Sequence, residues 1–348
     1  MTVDIYTLLR RFSRFGGSRT KMAALWAMHV LRRRYVGVFI DTVLVCNYRC
    51  RMCYFSSEDE RRKRRTGRLT EEQISCIARS VFHRTLKLQI GCGAEPTMDL
   101  AGALQLVEAG KQYGVPYISM TTNGVRLTED DLLRLTEAGL DELTISLHGI
   151  RRETYNMLMG QTADYDGFLR LLQSIRHVKA RFPKLNIRVN YTMNADNVDE
   201  LAEFDSLFAD IPINQLQLRP VREVGKSDYR NFDLSHVSEC LDSVVRPLAE
   251  RCRQRGITVL FPEQINIDRF AGTEQTDPRQ DLVSLFAYIN ITPQSYPRHD
   301  IRFETETYED YCRRTGIGRQ LFRSIFATKA ACKRMGTVLS NSLNYDIQ

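Results

Sequence analysis

Between Val36 and Pro220, short apolar runs alternate with longer amphipathic ones, and no other feature of the chain narrows its possible folds as far. Six runs read as strands: Val36–Val45, Leu86–Gly91, Tyr117–Thr121, Glu142–Leu147, Asn186–Tyr191 and Gln215–Arg219. The segments between them carry helix starts. Thr70 and Gln73 form a capping box ahead of Ile74, Ala78 and Val81, and Thr128 with Asp131 form a looser one. Asp196 or Asn197 can cap a helix through Phe208, and Ser235 opens a long helix to about Arg255. Strands alternating with helices build a parallel α/β sheet. Six repeats are too few to close an eight-stranded barrel, so an open, partial barrel or a doubly wound sheet is expected. In both, functional residues gather at the C-terminal ends of the strands.

Residues 36–222 are therefore read as the core domain. Residues 1–35 form a basic, amphipathic helical extension, and 223–348 a C-terminal α+β extension. The latter has a polar linker (Glu223–Phe232), the Ser235 helix, a short strand at Ile257–Phe261 and a weakly patterned tail. That tail holds Arg279–Ile291, an extended stretch near Arg302–Tyr308 and a helix around Gly318–Arg334. The apolar run Met22–Leu31 is interrupted by His29 and followed by three arginines. It falls short of the roughly 20 residues a bilayer requires, and nothing at the N-terminus reads as a secretory signal. A cytoplasmic protein is expected. The Met22–Arg34 helix could lie on a membrane surface with Trp26 toward lipid, but its centre is apolar almost all round, which favours packing on the protein. Net charge is +7, concentrated around Arg10, Arg11, Arg14 and Arg19 and again across Arg61–Arg68. Such blocks are either solvated faces or sites for an anionic partner.

Nine cysteines is an odd number, and three of them, Cys46, Cys50 and Cys53, fall within eight positions directly after the first strand. This spacing suits metal rather than a disulfide framework. Three thiolates leave a tetrahedral zinc site one ligand short. A four-iron cluster held by three cysteines instead keeps one iron open. The competing reading is a zinc knuckle completed by His83 or Cys92, binding nucleic acid through the Arg61–Arg68 block. It leaves the later runs unexplained.

Those runs follow the next three strands. Gly91-Cys92-Gly93-Ala94-Glu95-Pro96 combines small residues, which let backbone carbonyls approach an ammonium group, with a carboxylate and a stiffening proline. Thr121-Thr122-Asn123-Gly124 and Ser146-Leu147-His148-Gly149 come after strands three and four. Alone, each is a turn.

In this order the four motifs resemble the radical S-adenosylmethionine (SAM) superfamily, over about Val36 to Pro220. The resemblance implies a partial (β/α)6 TIM-like barrel in which Cys46, Cys50 and Cys53 ligate three irons of a [4Fe–4S] cluster. SAM would chelate the fourth. Met52 occupies the position where relatives carry a bulky residue. Gly93, Ala94 and Glu95 correspond to the run that receives the SAM amino group, and Asn123 and Ser146 to residues that bond its ribose or carboxylate. Ala94 stands where the family has glycine, and His148 where aspartate is usual. The arginine that relatives carry near Met159–Gln161 is absent, leaving Arg188, Arg151 or Arg152 to meet the carboxylate. An external donor, flavodoxin or ferredoxin in relatives, would supply the electron that splits SAM into methionine and a 5′-deoxyadenosyl radical. The radical takes hydrogen from a substrate. The style of the core points to a peptide or protein side chain, with a small molecule, sugar or lipid as the alternative. No residue is assigned as a catalytic acid or base. Cys240, Cys252, Cys312 and Cys332 are widely spaced singles, read as structural thiols rather than ligands of an auxiliary cluster.

Overall fold

The computed structural model describes residues 17–64, 67–223, 226–265 and 278–342. Arg10, Arg11, Arg14 and Arg65 of the two basic blocks lie outside them, as do positions 224 and 225 of the polar linker. Eight strands form one sheet: β1 (Val36–Ile40), β2 (Thr85–Ile90), β3 (Tyr117–Thr122), β4 (Glu142–Leu147), β5 (Asn186–Met193), β6 (Gln215–Pro220), β7 (Thr258–Leu260) and β8 (Tyr288–Ile291). Their order is β7-β6-β5-β4-β3-β2-β1-β8, and every neighbouring pair is parallel. The outer strands β7 and β8 do not pair with each other, so the sheet is open, an α/β arrangement consistent with a partial TIM barrel. Central strands such as β3 and β4 are buried on both faces, as parallel strands covered by helices must be.

The two capping boxes form. Thr70 Oγ1 accepts from the Gln73 N–H while the Gln73 side chain accepts from the Thr70 N–H, and Thr128 with Asp131 repeats the exchange. A third, Thr307 with Asp310, opens the helix Tyr308–Thr315. Asn197 caps nothing. Its amide donates to the His148 and Thr192 carbonyls, tying the β4 and β5 ends together, and the following segment starts as a 3₁₀ turn at Asp199.

The first strand is shorter than its apolar run. Past Ile40 the backbone leaves the sheet: the Leu69 N–H donates to the Thr42 carbonyl, Val43 bridges Arg68, and the Glu95 N–H donates to the Val45 carbonyl. Residues 41–44 stay buried without being strand. In the tail, the stretch 279–291 resolves into a helix, Pro278–Ala287, running into β8, which pairs with β1. Only four residues of β8 are in the sheet, too few for a period-2 pattern to register. The segment near 302–307 is turn rather than extended chain.

The helix Ser18–Val30 packs on the protein. Met22 is fully buried, and the Trp26 ring lies 5.3 Å from that of Phe322 in the helix Ile317–Phe326. Among the described residues no helix is long and apolar enough to cross a membrane.

Candidate active site

At the C-terminal end of β1 the chain places Asp41, which is buried. Its carboxylate accepts three successive backbone N–H groups from the turn after β2: Cys92 (3.0 Å), Gly93 (2.9 Å) and Ala94 (3.2 Å). The turn begins at Gly91, whose φ of +76° suits glycine, and a Cβ there would meet the Thr121 carbonyl oxygen at 2.4 Å. With its N–H groups committed to Asp41, this turn is held as a fixed frame. Burial pushes the Asp41 carboxyl up to about 6 against the lowering effect of the three N–H donors.

Glu95 closes the same turn and is almost fully spent. One carboxylate oxygen accepts from the Thr97 N–H and hydroxyl and from the Thr122 hydroxyl; the other accepts from the backbone and side-chain amides of Asn123. Five donors on one buried carboxylate lock the β2 turn to the β3 turn. Burial still raises its pKa, with the hydrogen bonds opposing. The Asn123 amide also donates to the Asn47 side chain at 2.9 Å, extending the link to the cysteine loop.

The loop itself is pinned from several sides. Arg49 donates to the Cys46 and Tyr48 carbonyls, the Cys53 N–H donates to the Cys50 carbonyl, and the Tyr48 N–H points at the Cys46 sulfur at 3.4 Å. The helix Arg152–Met159 holds it from outside, the Arg51 N–H donating to the Leu158 carbonyl. Beyond that helix, the Thr162 hydroxyl reaches the Asn47 carbonyl. Tyr48 is buried, with its hydroxyl 3.1 Å from that of Tyr155. The Tyr54 hydroxyl donates to the Gly93 carbonyl, joining this loop to the β2 turn.

These elements surround one cavity of about 920 Å³. Its wall includes Cys46, Cys50, Cys53 and Met52 from the loop, Gly93, Ala94 and Glu95 from the β2 turn, Asn123 from the β3 turn, and Ser146 and His148 from the β4 end. Gln217, Arg219 and Arg222 close the side made by β6. A cavity of this size holds a drug-sized ligand with room left over. The Met52 sulfur accepts from the Asn194 amide at 3.1 Å, which fixes that side chain in the wall. Burial lowers His148 to about 4, so its ring is neutral, and its Nδ1 is buried without a hydrogen-bond partner. Arg188 is not itself in that wall, although its guanidinium donates to Gln217 at 3.4 Å. It projects from the N-terminal half of β5 and pairs with buried Glu142 at 2.9 Å, which also accepts from the Tyr117 hydroxyl. Arg151 and Arg152 form exposed pairs with Glu203 and Asp166.

The donor set fits a multi-iron cluster. Burial, reinforced by Glu95, pushes the Cys46 thiol up to about 12, and burial raises Cys50 well above its ordinary value, so positive charge must arrive before these thiolates form. All three cysteines line the same cavity. His83 cannot complete a zinc knuckle: it precedes β2, at the opposite end of the sheet, and is hydrogen-bonded to Glu309. None of the nine cysteines, all described, is in a disulfide. Sequence reasoning missed Asp41. A carboxylate one step past a strand carries no signal until the turn it holds is in view.

Residues 40–205 match the sequence profile of the Radical SAM superfamily, whose members use a [4Fe–4S] cluster and SAM. The chain carries a radical SAM domain. Among curated proteins, it is 29% identical over 205 residues to the "Probable GTP 3′,8-cyclase" of Saccharolobus islandicus, covering 58% of this chain and 62% of that one. A protein of the same name from Sulfurisphaera tokodaii is 26% identical over 214 residues, with 61% and 64% covered. The match thus spans less than two thirds of these relatives. In structure, the chain resembles Streptococcus suis SuiB bound to its precursor peptide SuiA, with a TM-score of 0.56, 14% identity, and 84% of this chain and 64% of that one covered. It also resembles anSMEcpe with bound AdoMet, with a TM-score of 0.51, 15% identity, and 64% and 63% covered. At these identities the likeness is one of fold.

Proposed function

We propose that this chain is a radical SAM enzyme in which Cys46, Cys50 and Cys53 hold a [4Fe–4S] cluster and SAM binds beside it in the 920 Å³ cavity. When bound, cluster and SAM together supply a carbon radical able to take hydrogen from an unreactive C–H bond, with an external donor such as flavodoxin or ferredoxin providing the electron. The protein contributes placement. Asp41 and Glu95 keep the β2 and β3 turns rigid, so that Gly93, Ala94 and Asn123 meet SAM without reorganisation. Met52 and Ser146 line the remaining wall. The observation that carries this reading is convergence: one loop and three post-strand turns, separate in sequence, share a single cavity.

For the substrate, the reading moves from a peptide side chain to a small, polar, anionic molecule. The cavity wall from β6 onward offers Gln217, Arg219 and Arg222. The curated relatives it matches over 205 residues are named for a reaction of GTP. A peptide is the second reading, favoured by the openness of the sheet between β7 and β8. Anaerobic turnover with reductant and SAM separates the two. GTP or another nucleoside triphosphate should stimulate 5′-deoxyadenosine formation if the first holds, and stimulation only by peptides would reject it.

A further inference from the structure

Three side chains of mixed chemistry meet outside the cavity wall. Asp199 comes from the 3₁₀ turn after β5, while His236 and Cys240 sit one helical turn apart at the start of the long helix after β6. The His236 Nε2 is 2.8 Å from Asp199 Oδ2, the Cys240 sulfur is 3.5 Å from Asp199 Oδ1, and sulfur and Nε2 are 3.7 Å apart. All three ligand atoms lie within 4.8 Å of one another. Tetrahedral zinc, with bonds of about 2.0 Å to nitrogen or oxygen and about 2.3 Å to sulfur, places its ligand atoms roughly 3.3–3.6 Å apart. The sulfur–imidazole edge is already close to that size, while the two carboxylate edges run to different Asp199 oxygens, so the carboxylate must turn to present one oxygen to an ion and the aspartate–histidine edge must open.

The arrangement is not that of a thiol–imidazole–carboxylate triad. There the carboxylate and the nucleophile take opposite ring nitrogens. Here both approach Nε2, the sulfur being nearer to it than to Nδ1 (3.7 against 4.0 Å). Nδ1 is left facing the Glu239 carboxylate at 3.7 Å, the position from which an outer carboxylate orients a metal-bound histidine. Cys240 is buried, His236 half-buried and Asp199 exposed, so the triangle has a protein floor and a mouth open to solvent. A π-helical turn, Leu241–Val245, starts immediately after Cys240, an irregularity common at functional positions.

We propose that Asp199, His236 and Cys240 form a binding site for a borderline-soft divalent cation of the zinc class, with solvent completing the coordination and Glu239 orienting His236. Thiolate, imidazole and carboxylate together select such an ion over magnesium or calcium. The bound ion clamps the turn after β5 to the helix after β6. That turn follows Asn194, which supports Met52 in the cavity wall. The site is independent of the radical chemistry proposed above.

The test uses the full chain, cluster-loaded and anaerobic, exposed to zinc chloride, desalted, and analysed for zinc and iron together. The wild type should retain one more zinc per chain than Asp199→Asn, His236→Ala or Cys240→Ser, with iron equal in all four. Adding cobalt(II) should give a thiolate-to-cobalt difference band that Cys240→Ser lacks, and Glu239→Gln should keep the band with affinity weakened about 10- to 100-fold. Asp199 and His236 are accessible enough that their variants should fold. Equal zinc in the wild type and His236→Ala would overturn the proposal and reduce the cluster to a hydrogen-bonded ion pair over a structural thiol.

Discussion

Asp41 shows how much of this site rests on a side chain that touches no cofactor. Its carboxylate takes three N–H groups of the turn that carries Gly93 and Ala94, and a hydrogen bond to a charged acceptor is worth about 1.5–3 kcal/mol. In Asp41→Asn one oxygen becomes a donor facing donors. The expected result is SAM affinity about tenfold weaker with cluster iron unchanged, measured by equilibrium binding and metal analysis. The wild type should imitate this variant in acid. The carboxyl is held near 6, so SAM binding should weaken as pH falls from 7 to 5, and Asp41→Asn should be flat over that range. Stability runs the other way. A folded-state value raised from 3.8 to about 6 means that the native protein holds this proton more tightly than the unfolded chain. The stabilising contribution is complete below about pH 4 and is lost as pH rises through 6. At this scale the cysteine trio and the small-residue turn were legible because their types and spacing are rare. Strand position alone did not show what Arg188 pairs with. Charge on β5 says nothing about its partner on the neighbouring strand, and buried Glu142 takes it into an ion pair, with a longer contact to Gln217 of the cavity wall.

Elements position the chemistry through a few tight contacts. Gly160, at φ +95°, ends the helix Arg152–Met159, and a Cβ there would sit 2.3 Å from the Arg49 carbonyl oxygen inside the cysteine loop. Gly160→Ala must shift that loop, since neither the conformation nor the space suits a side chain. Iron content after reconstitution should fall well below wild type while the far-UV spectrum stays unchanged. At the opposite end of the sheet, Glu309 joins the helix Tyr308–Thr315 to β2 through buried Arg84 at 2.7 Å and through His83. Burial raises the Glu309 carboxyl, but hydrogen bonds from His83 and Arg84 outweigh it and bring it down to about 2. Its contribution is therefore present above about pH 4.5 and lost as pH falls toward 2. Glu309→Gln should cost about 3 kcal/mol at neutral pH, read by denaturant unfolding, because Arg84 loses its countercharge in a buried site. Long, periodic elements such as β2–β6 and the capped helices were readable from sequence. Strand β8 was not, because its residues sit next to β1 only through a contact some 250 positions away in the chain.

For the whole molecule, the sheet places every motif on one rim. Order β7 to β8 with all strands parallel means that four loops following four strands open on the same side, which is why motifs far apart in sequence face one cavity. Substrate identity was not legible, because it depends on side chains from β6 onward that follow no shared pattern. The downstream thiols occupy separate environments: Cys240 beside Asp199, Cys252 near Asp205, and Cys312 near Tyr308. Cys252→Ala should accordingly leave iron content and SAM cleavage intact.

The most direct measurement is 5′-deoxyadenosine produced by the anaerobically reconstituted protein given SAM and reductant, in the wild type and in Cys50→Ala. The wild type should bind four irons and release methionine and 5′-deoxyadenosine together, and Cys50→Ala should do neither. A wild-type protein that assembles the cluster yet leaves SAM whole, or a Cys50→Ala protein that still cleaves it, would contradict the account.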